Sequence, residues 1–135
     1  MKEPKRDSDV KHMVPYVADR VELIFYRLRL RGFDPVLFEG RRSLIRQMWL
    51  YGSGRTVTAL VRAHISLALA KLLVRPGARQ VTWTLDSLHI KGKAADVISK
   101  SRLWNWPEFF VALKEETAVV GMKTIPQEGC HIQWS

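Results

Sequence analysis

Cysteine is almost missing from this 135-residue sequence, with Cys130 standing alone. No intramolecular disulfide can form, and a zinc finger built on several thiolates is excluded, so any metal must be held by histidine and carboxylate ligands. Acidic residues are also few, 13 against 22 Lys and Arg. The formal charge of +9 and pI near 10.1 favour an anionic partner, whether nucleic acid, lipid headgroups or a cell-wall polymer. Long apolar runs are lacking too. The longest, Ala59 to Val74, is broken by Arg62, His64 and Lys71 and falls short of the roughly 20 residues needed to cross a bilayer, so no transmembrane segment is expected. The amino-terminal MKEPKRDSDVKHM carries charges of both signs and no apolar signal core, which sets the expectation of a chain that starts in the cytoplasm. No repeat, low-complexity tract or Gly/Ser/Pro linker divides the chain. It reads as one domain over 1–135, with residues 1–14 a polar, flexible leader. A hydrophobic share of 47% with 26% charged residues supports a buried core and excludes disordered, collagen-like and coiled-coil readings.

The elements follow from periodicity. Pro15 suits the first turn of a helix in which Val17, Val21, Ile24, Phe25 and Leu28 recur at helical spacing, and Gly32 suits its stop. Arg20, Arg27, Arg29 and Arg31 fall on its outer face and last turn, where cations suit the helix dipole. Pro35 to Phe38 reads as a short strand, and Ser43 as the N-cap of a helix running to about Tyr51. After the turn Gly52-Ser53-Gly54, one helix is expected from about Thr58 to Val74, ended by Pro76-Gly77. Gln80 to Thr84 and Ala94 to Ser99 read as strands. Asn105 and Pro107 open a helix carrying Phe109, Phe110, Leu113 and Val119, with Gly121 near its end, and the last fourteen residues predict one or two strands. Helices and strands do not alternate strictly, so the class is α+β.

The chemistry concentrates in Ser87-Leu88-His89-Ile90-Lys91-Gly92-Lys93-Ala94-Ala95-Asp96. A histidine stands seven residues before an aspartate, and the small residues between them permit close backbone packing and a tight turn, so His89 and Asp96 can face one pocket. Spacing alone is equally met by a hydrogen-bonded surface turn.

This stretch has the form SxHxxGxAxD, which resembles the zinc-binding signature of the M15 peptidases, the family of bacterial D-Ala-D-Ala carboxypeptidases and phage L-alanyl-D-glutamate endolysins. The resemblance implies a Zn²⁺ cofactor with His89 and Asp96 as its first two ligands. The family's third ligand is a histidine near the C-terminus with an acidic catalytic residue three positions earlier, which Glu128-Gly129-Cys130-His131-Ile132-Gln133-Trp134 fits with His131 and Glu128. Glu39-Gly40-Arg41-Arg42-Ser43, then Gln47, then Leu50-Tyr51 and Gly54-Arg55-Thr56 resemble the family's EGxRS, Q and LYxxGRT elements in the same order. The implied fold is a small α+β domain with an antiparallel sheet carrying the metal and helices packed on it. By the same resemblance Glu128 is the general base and Arg42 polarises the scissile carbonyl; Ser87, which lacks a recognisable base for nucleophilic work, is expected to hydrogen-bond the site or substrate. Two departures border the expected cleft: Val57 to Arg79 is longer and more helical than the family's loop, and the link from Gly121 to Glu128 is short.

Other residues take plainer readings. His64 is a packed or edge histidine, His12 is solvated, Arg55 has no defined role, and Trp83 and Trp134 belong to the core. Cys130, next to His131 on a strand, points to the opposite face as a small buried residue. The resemblance thus implies a monomeric zinc peptidase that cuts peptidoglycan stem peptides between L-Ala and D-Glu, as a phage endolysin made in the host cytoplasm and reaching the wall at lysis; its basic surface would meet anionic envelope polymers. A D,D-carboxypeptidase or dipeptidase on D-Ala-D-Ala is the alternative within the class, and a virion-associated form of the same peptidase is a third possibility. Outside the class stands a basic nucleic-acid-binding module using Arg27, Arg29, Arg31, Arg41, Arg42 and Arg46, which lacks any recognised binding motif.

Overall fold

Helix α1, Pro15–Leu30, begins where proline needs no hydrogen-bond partner and buries Val17, Val21, Ile24, Phe25 and Leu28 along one stripe. Each such side chain taken from water contributes about 2 kcal/mol. The helix closes at Gly32, whose φ of 88° lets Phe33 N–H return to the Leu28 carbonyl at 3.0 Å, a left-handed cap that glycine adopts without strain. The computed structural model describes residues 1–135. Their contacts divide into two compact units, one of residues 6–42 and 88–135, the other of residues 1–5 and 43–87.

The first unit is a four-stranded antiparallel sheet with two helices. Strands β1 (Pro35–Glu39), β2 (Ala94–Ser99), β3 (Lys123–Ile125) and β4 (Glu128–Gln133) stand in the order β1-β2-β4-β3. Leu37, Ala95, Val97 and Ile132 of the sheet join the α1 stripe and Phe109, Ala112 and Leu113 of the helix Pro107–Val119, α5, in one buried cluster. Val119, expected on the buried stripe, is exposed in the last turn. Across the helix pair Glu116 accepts from Arg27 Nε at 2.5 Å and from Arg31 Nη1 at 3.1 Å. The polar leader has fixed partners here: Met13 is buried, and the Asp7 carbonyl accepts from Gly40 N–H at 2.8 Å.

The second unit holds three short helices, α2 (Leu44–Tyr51), α3 (Val57–Arg62) and α4 (Leu67–Leu73). Ser43 caps α2 by accepting from Arg46 N–H, as its position predicted. The single helix expected from Thr58 to Val74 is instead two. His64 takes φ 67°, Ile65 N–H bonds the Leu60 carbonyl at 3.1 Å, and the side chains of Ile65 and Leu60 share a small buried cluster with Ala70 and Leu73. That is a left-handed helix cap with its hydrophobic contact, built on histidine where glycine is usual. Ser66 then caps α4 through Leu69 N–H.

The strand expected over Gln80 to Thr84 does not form, and Trp83 is 83% exposed rather than in the core. The chain bends at Trp83 and Leu85, and side chains from elsewhere satisfy part of its backbone in place of a ladder. Gln47 Nε2 donates to the Thr84 carbonyl at 2.6 Å and to Thr82 Oγ1 at 3.2 Å, and Ser53 Oγ donates to the Arg79 carbonyl at 2.5 Å.

Candidate metal centre

His89, Asp96 and His131 come together within the sheet unit, with their nearest donor atoms all within 4.8 Å of one another. Asp96 and His131 are opposed partners on β2 and β4, so their side chains leave the sheet on the same face. Ile132, next along β4, faces the helices instead. The metal-facing and core-facing sets are therefore the two faces of one pleat.

His89 arrives from a turn. Gly92, with φ 70°, closes it by donating to the His89 carbonyl at 3.1 Å, and Arg42 N–H donates to the same carbonyl at 2.9 Å. A Cβ added at Gly92 would lie 3.1 Å from Val14 N, so the small residue serves both the turn and the close approach, as the spacing argument required.

Both imidazoles are aimed by hydrogen bonds on their far nitrogens. His89 Nδ1 lies 2.8 Å from the Gly40 carbonyl, which can only accept, so Nδ1 carries the proton and Nε2 turns its lone pair to Asp96, 3.5 Å away. His131 Nε2 lies 2.8 Å from Gln133 Oε1, leaving Nδ1 toward Asp96 at 3.3 Å. Ligands at about 2.0–2.2 Å around a tetrahedral ion stand about 3.3–3.6 Å apart. His131 Nδ1 stands 3.3 Å from Asp96 Oδ1 and His89 Nε2 3.5 Å from Asp96 Oδ2, and with one donor atom from each residue inside 4.8 Å the three are close enough to share one ion. Two oriented neutral imidazoles and one carboxylate are a zinc donor set that leaves a fourth position open, so these residues fit the ion the motif implies.

The electrostatics agree. The carboxyl of Asp96 is held well below the usual carboxylate range: burial would raise it, but hydrogen bonds and positive charge from His131 and His89 outweigh burial. His131 is raised, because the hydrogen bond and charge of Asp96 outweigh the burial that would lower it. These shifts reflect protons shared between the imidazoles and Asp96; a metal ion bound there would take the place of those protons and leave both rings neutral.

Glu128 lies with its Oε2 3.5 Å from His131 Nδ1 and half of its side chain exposed. Positions three apart on a regular strand face opposite ways, but the β3–β4 register jumps from Thr124 opposite Ile132 to Ile125 opposite Glu128. Gly129 and Cys130 occupy that irregularity, which brings Glu128 round to the metal face. Cys130 is absent from the donor cluster, and burial, with the charge of Asp96 adding, pushes its thiol up to about 12.

Arg42 is not a solvated cation. Its side chain is 9% exposed, with Nη2 2.6 Å from Glu39 Oε1 and 3.8 Å from Asp96 Oδ2. The β1–β2 register skips a residue so that Glu39 opposes Asp96, and this bulge aims the Glu39 carboxylate at the site. Ser87, half-buried, is the last residue of the other unit. His64 and His12 are exposed and are not among the clustered donors, His12 beside Asp7 at 2.8 Å. Trp134 packs against the sheet unit's core, edge-on to Tyr16.

Three contributors were not anticipated: Glu39 as partner of Arg42, the Gly40 carbonyl, and Gln133. Gln133 had a readable signal, since a residue two after a strand ligand shares its face. The carbonyl of Gly40 had none.

No protein-family model matches the sequence, and no curated protein matches it. Solved structures do. A vancomycin-resistance D,D-pentapeptidase, VanY from a VanB-type cassette in complex with Zn(II), superposes with a TM-score of 0.60 at 18% identity, over 96% of this chain and 76% of its own. VanYB in complex with D-alanine-D-alanine gives 0.59 at 18%, over 90% and 71%. The Serratia marcescens L-Ala D-Glu endopeptidase ChiX gives 0.52 at 20%, over 99% and 89%. The chain has the fold of the M15-type zinc peptidases.

Proposed function

We propose that this protein is a zinc-dependent peptidase of peptidoglycan stem peptides, cutting between L-Ala and D-Glu in the manner of a phage endolysin that acts on the host wall at lysis. The observation that carries the reading is the His89, Asp96 and His131 cluster with Glu128 at its edge, on a fold shared with an L-Ala D-Glu endopeptidase and a D,D-pentapeptidase. His89, Asp96 and His131 would hold the ion. When bound, zinc supplies Lewis acidity and makes water a nucleophile near neutral pH. Glu128, exposed enough to meet substrate, accepts the proton of the attacking water and returns it to the leaving amine. Arg42, fixed by Glu39, presents a positive charge where negative charge develops on the scissile carbonyl. Ser87 contributes to substrate binding.

The second reading, a D,D-carboxypeptidase, draws on the likeness to VanYB, whose structure holds D-alanine-D-alanine. Digestion of purified peptidoglycan separates the two. New L-Ala carboxyl and D-Glu amino termini support the endopeptidase, whereas free D-Ala as the sole product establishes the alternative. The nucleic-acid reading loses support because four of its six arginines are engaged: Arg27 and Arg31 with Glu116, Arg42 with Glu39, and Arg46 buried.

A further inference from the structure

Between Ser43 and Leu85 the sequence contains no acidic residue, but it carries Arg46, Arg55, Arg62, Lys71, Arg75 and Arg79. The same stretch exposes apolar side chains that a solvated surface does not need. On α4, Leu67 and Leu72 are 54% and 59% exposed, and Val61 on α3 is 42% exposed. At 100° per residue, Leu67, Lys71, Ala68 and Leu72 sweep one outward arc of α4, all exposed, while Ala70 and Leu73 fill the buried side. A helix apolar on both faces has a second apolar partner. Arg62 follows Val61, and Lys71 lies between Leu67 and Leu72 on the arc; both cations are exposed.

We propose that the outer face of α3 and α4 is a docking surface for an anionic phospholipid bilayer. Exposed leucines with Lys71 among them, and Arg62 exposed on the preceding helix, in a segment free of acidic residues, supply the two attractions an interfacial surface combines: apolar burial at the acyl boundary and cation attraction to headgroups. A nucleic acid would use the cations but leave the leucines without a role. The surface shares no residue with the metal centre and does not depend on its chemistry.

Flotation of the full chain with phosphatidylcholine/phosphatidylglycerol vesicles at physiological salt tests this, with pure phosphatidylcholine vesicles as reference. The wild type should partition to the anionic vesicles. Leu67→Ser/Leu72→Ser should weaken that partition about tenfold or more, and Arg62→Gln/Lys71→Gln should weaken it by about fivefold per charge removed. All four side chains are solvent-exposed, so both variants should melt with the wild type by circular dichroism. Unchanged partition in the leucine variant overturns the proposal, because charge alone then explains binding. A soluble dimer abolished by the same substitution also overturns it, in favour of a second copy, as does a DNA duplex that displaces the vesicles.

Discussion

The two units place their charge in opposite ways. In the sheet unit, basic side chains meet acids: Arg42 with Glu39, Arg27 and Arg31 with Glu116, and two imidazoles with Asp96. In the unit of α2, α3 and α4, cations largely meet carbonyls and aromatic faces instead. Arg75 Nη2 donates to the Trp49 carbonyl at 2.6 Å and its guanidinium lies 3.5 Å over the Trp49 ring, while Arg55 Nη1 donates to the Tyr51 carbonyl at 2.8 Å. Paired charge on a sheet face fixes side chains to within a fraction of an ångström, as a metal centre needs. An excess of cations over acids around a small core leaves a net positive field, which suits contact with an anionic surface. The net charge of +9 therefore says little about the centre and much about the other unit.

The largest expected effect breaks this comparison at its centre. His131→Ala should abolish tight zinc binding in titration calorimetry and activity with it; full occupancy in a variant lacking His89, Asp96 and His131 together would show that the paired cluster is not the metal site. Next comes Glu128→Gln, which keeps size but removes the proton acceptor. Zinc and substrate binding should stay near wild type while kcat falls about 10²- to 10⁴-fold; normal turnover would remove Glu128 from the chemistry.

Gln133→Leu sharpens the claim that orientation is built into the sheet. Loss of the acceptor for His131 Nε2–H should lower zinc affinity about 10- to 100-fold, measured by competition with a chelator, with the protein's melting little changed. The pairing of Glu116 makes a pH prediction. Hydrogen bonds from Arg27, ahead of the burial that opposes them, hold its carboxyl below the ordinary 4.5, so its stabilisation is present above that value and is lost as pH falls through the lowered one. Glu116→Gln should cost about 2 kcal/mol at neutral pH, and the gap between its melting temperature and the wild type's should close in acid. The smallest effect belongs to the other unit. His64→Gly relieves a left-handed residue and should raise stability by about 1 kcal/mol; a fall instead would mean that His64 makes a contact worth more than its strain.

Legibility followed the strength of local signals. Three helices end in the same left-handed cap, at Gly32, His64 and Gly121. The two glycines were readable as stops because glycine adopts positive φ freely. His64 was not, and the expected helix ran through it to Val74. Ser43 was readable as a cap by its position before an apolar run. Gln80 to Thr84 had strand composition, but composition cannot report whether a partner strand is available.

What the sequence by itself determined is therefore the local and the chemical: the amphipathic stripes of α1 and α5, the glycine stops, and a histidine and aspartate joined by residues small enough for a turn. The tertiary structure alone decided which nitrogen of each imidazole faces Asp96, because that depends on the Gly40 carbonyl and Gln133. It also decided that bulges on β1 and β4 turn Glu39 and Glu128 onto the metal face. Register and hydrogen-bond partners arise from pairing between distant segments, and a side chain's identity does not reveal which segment will lie beside it.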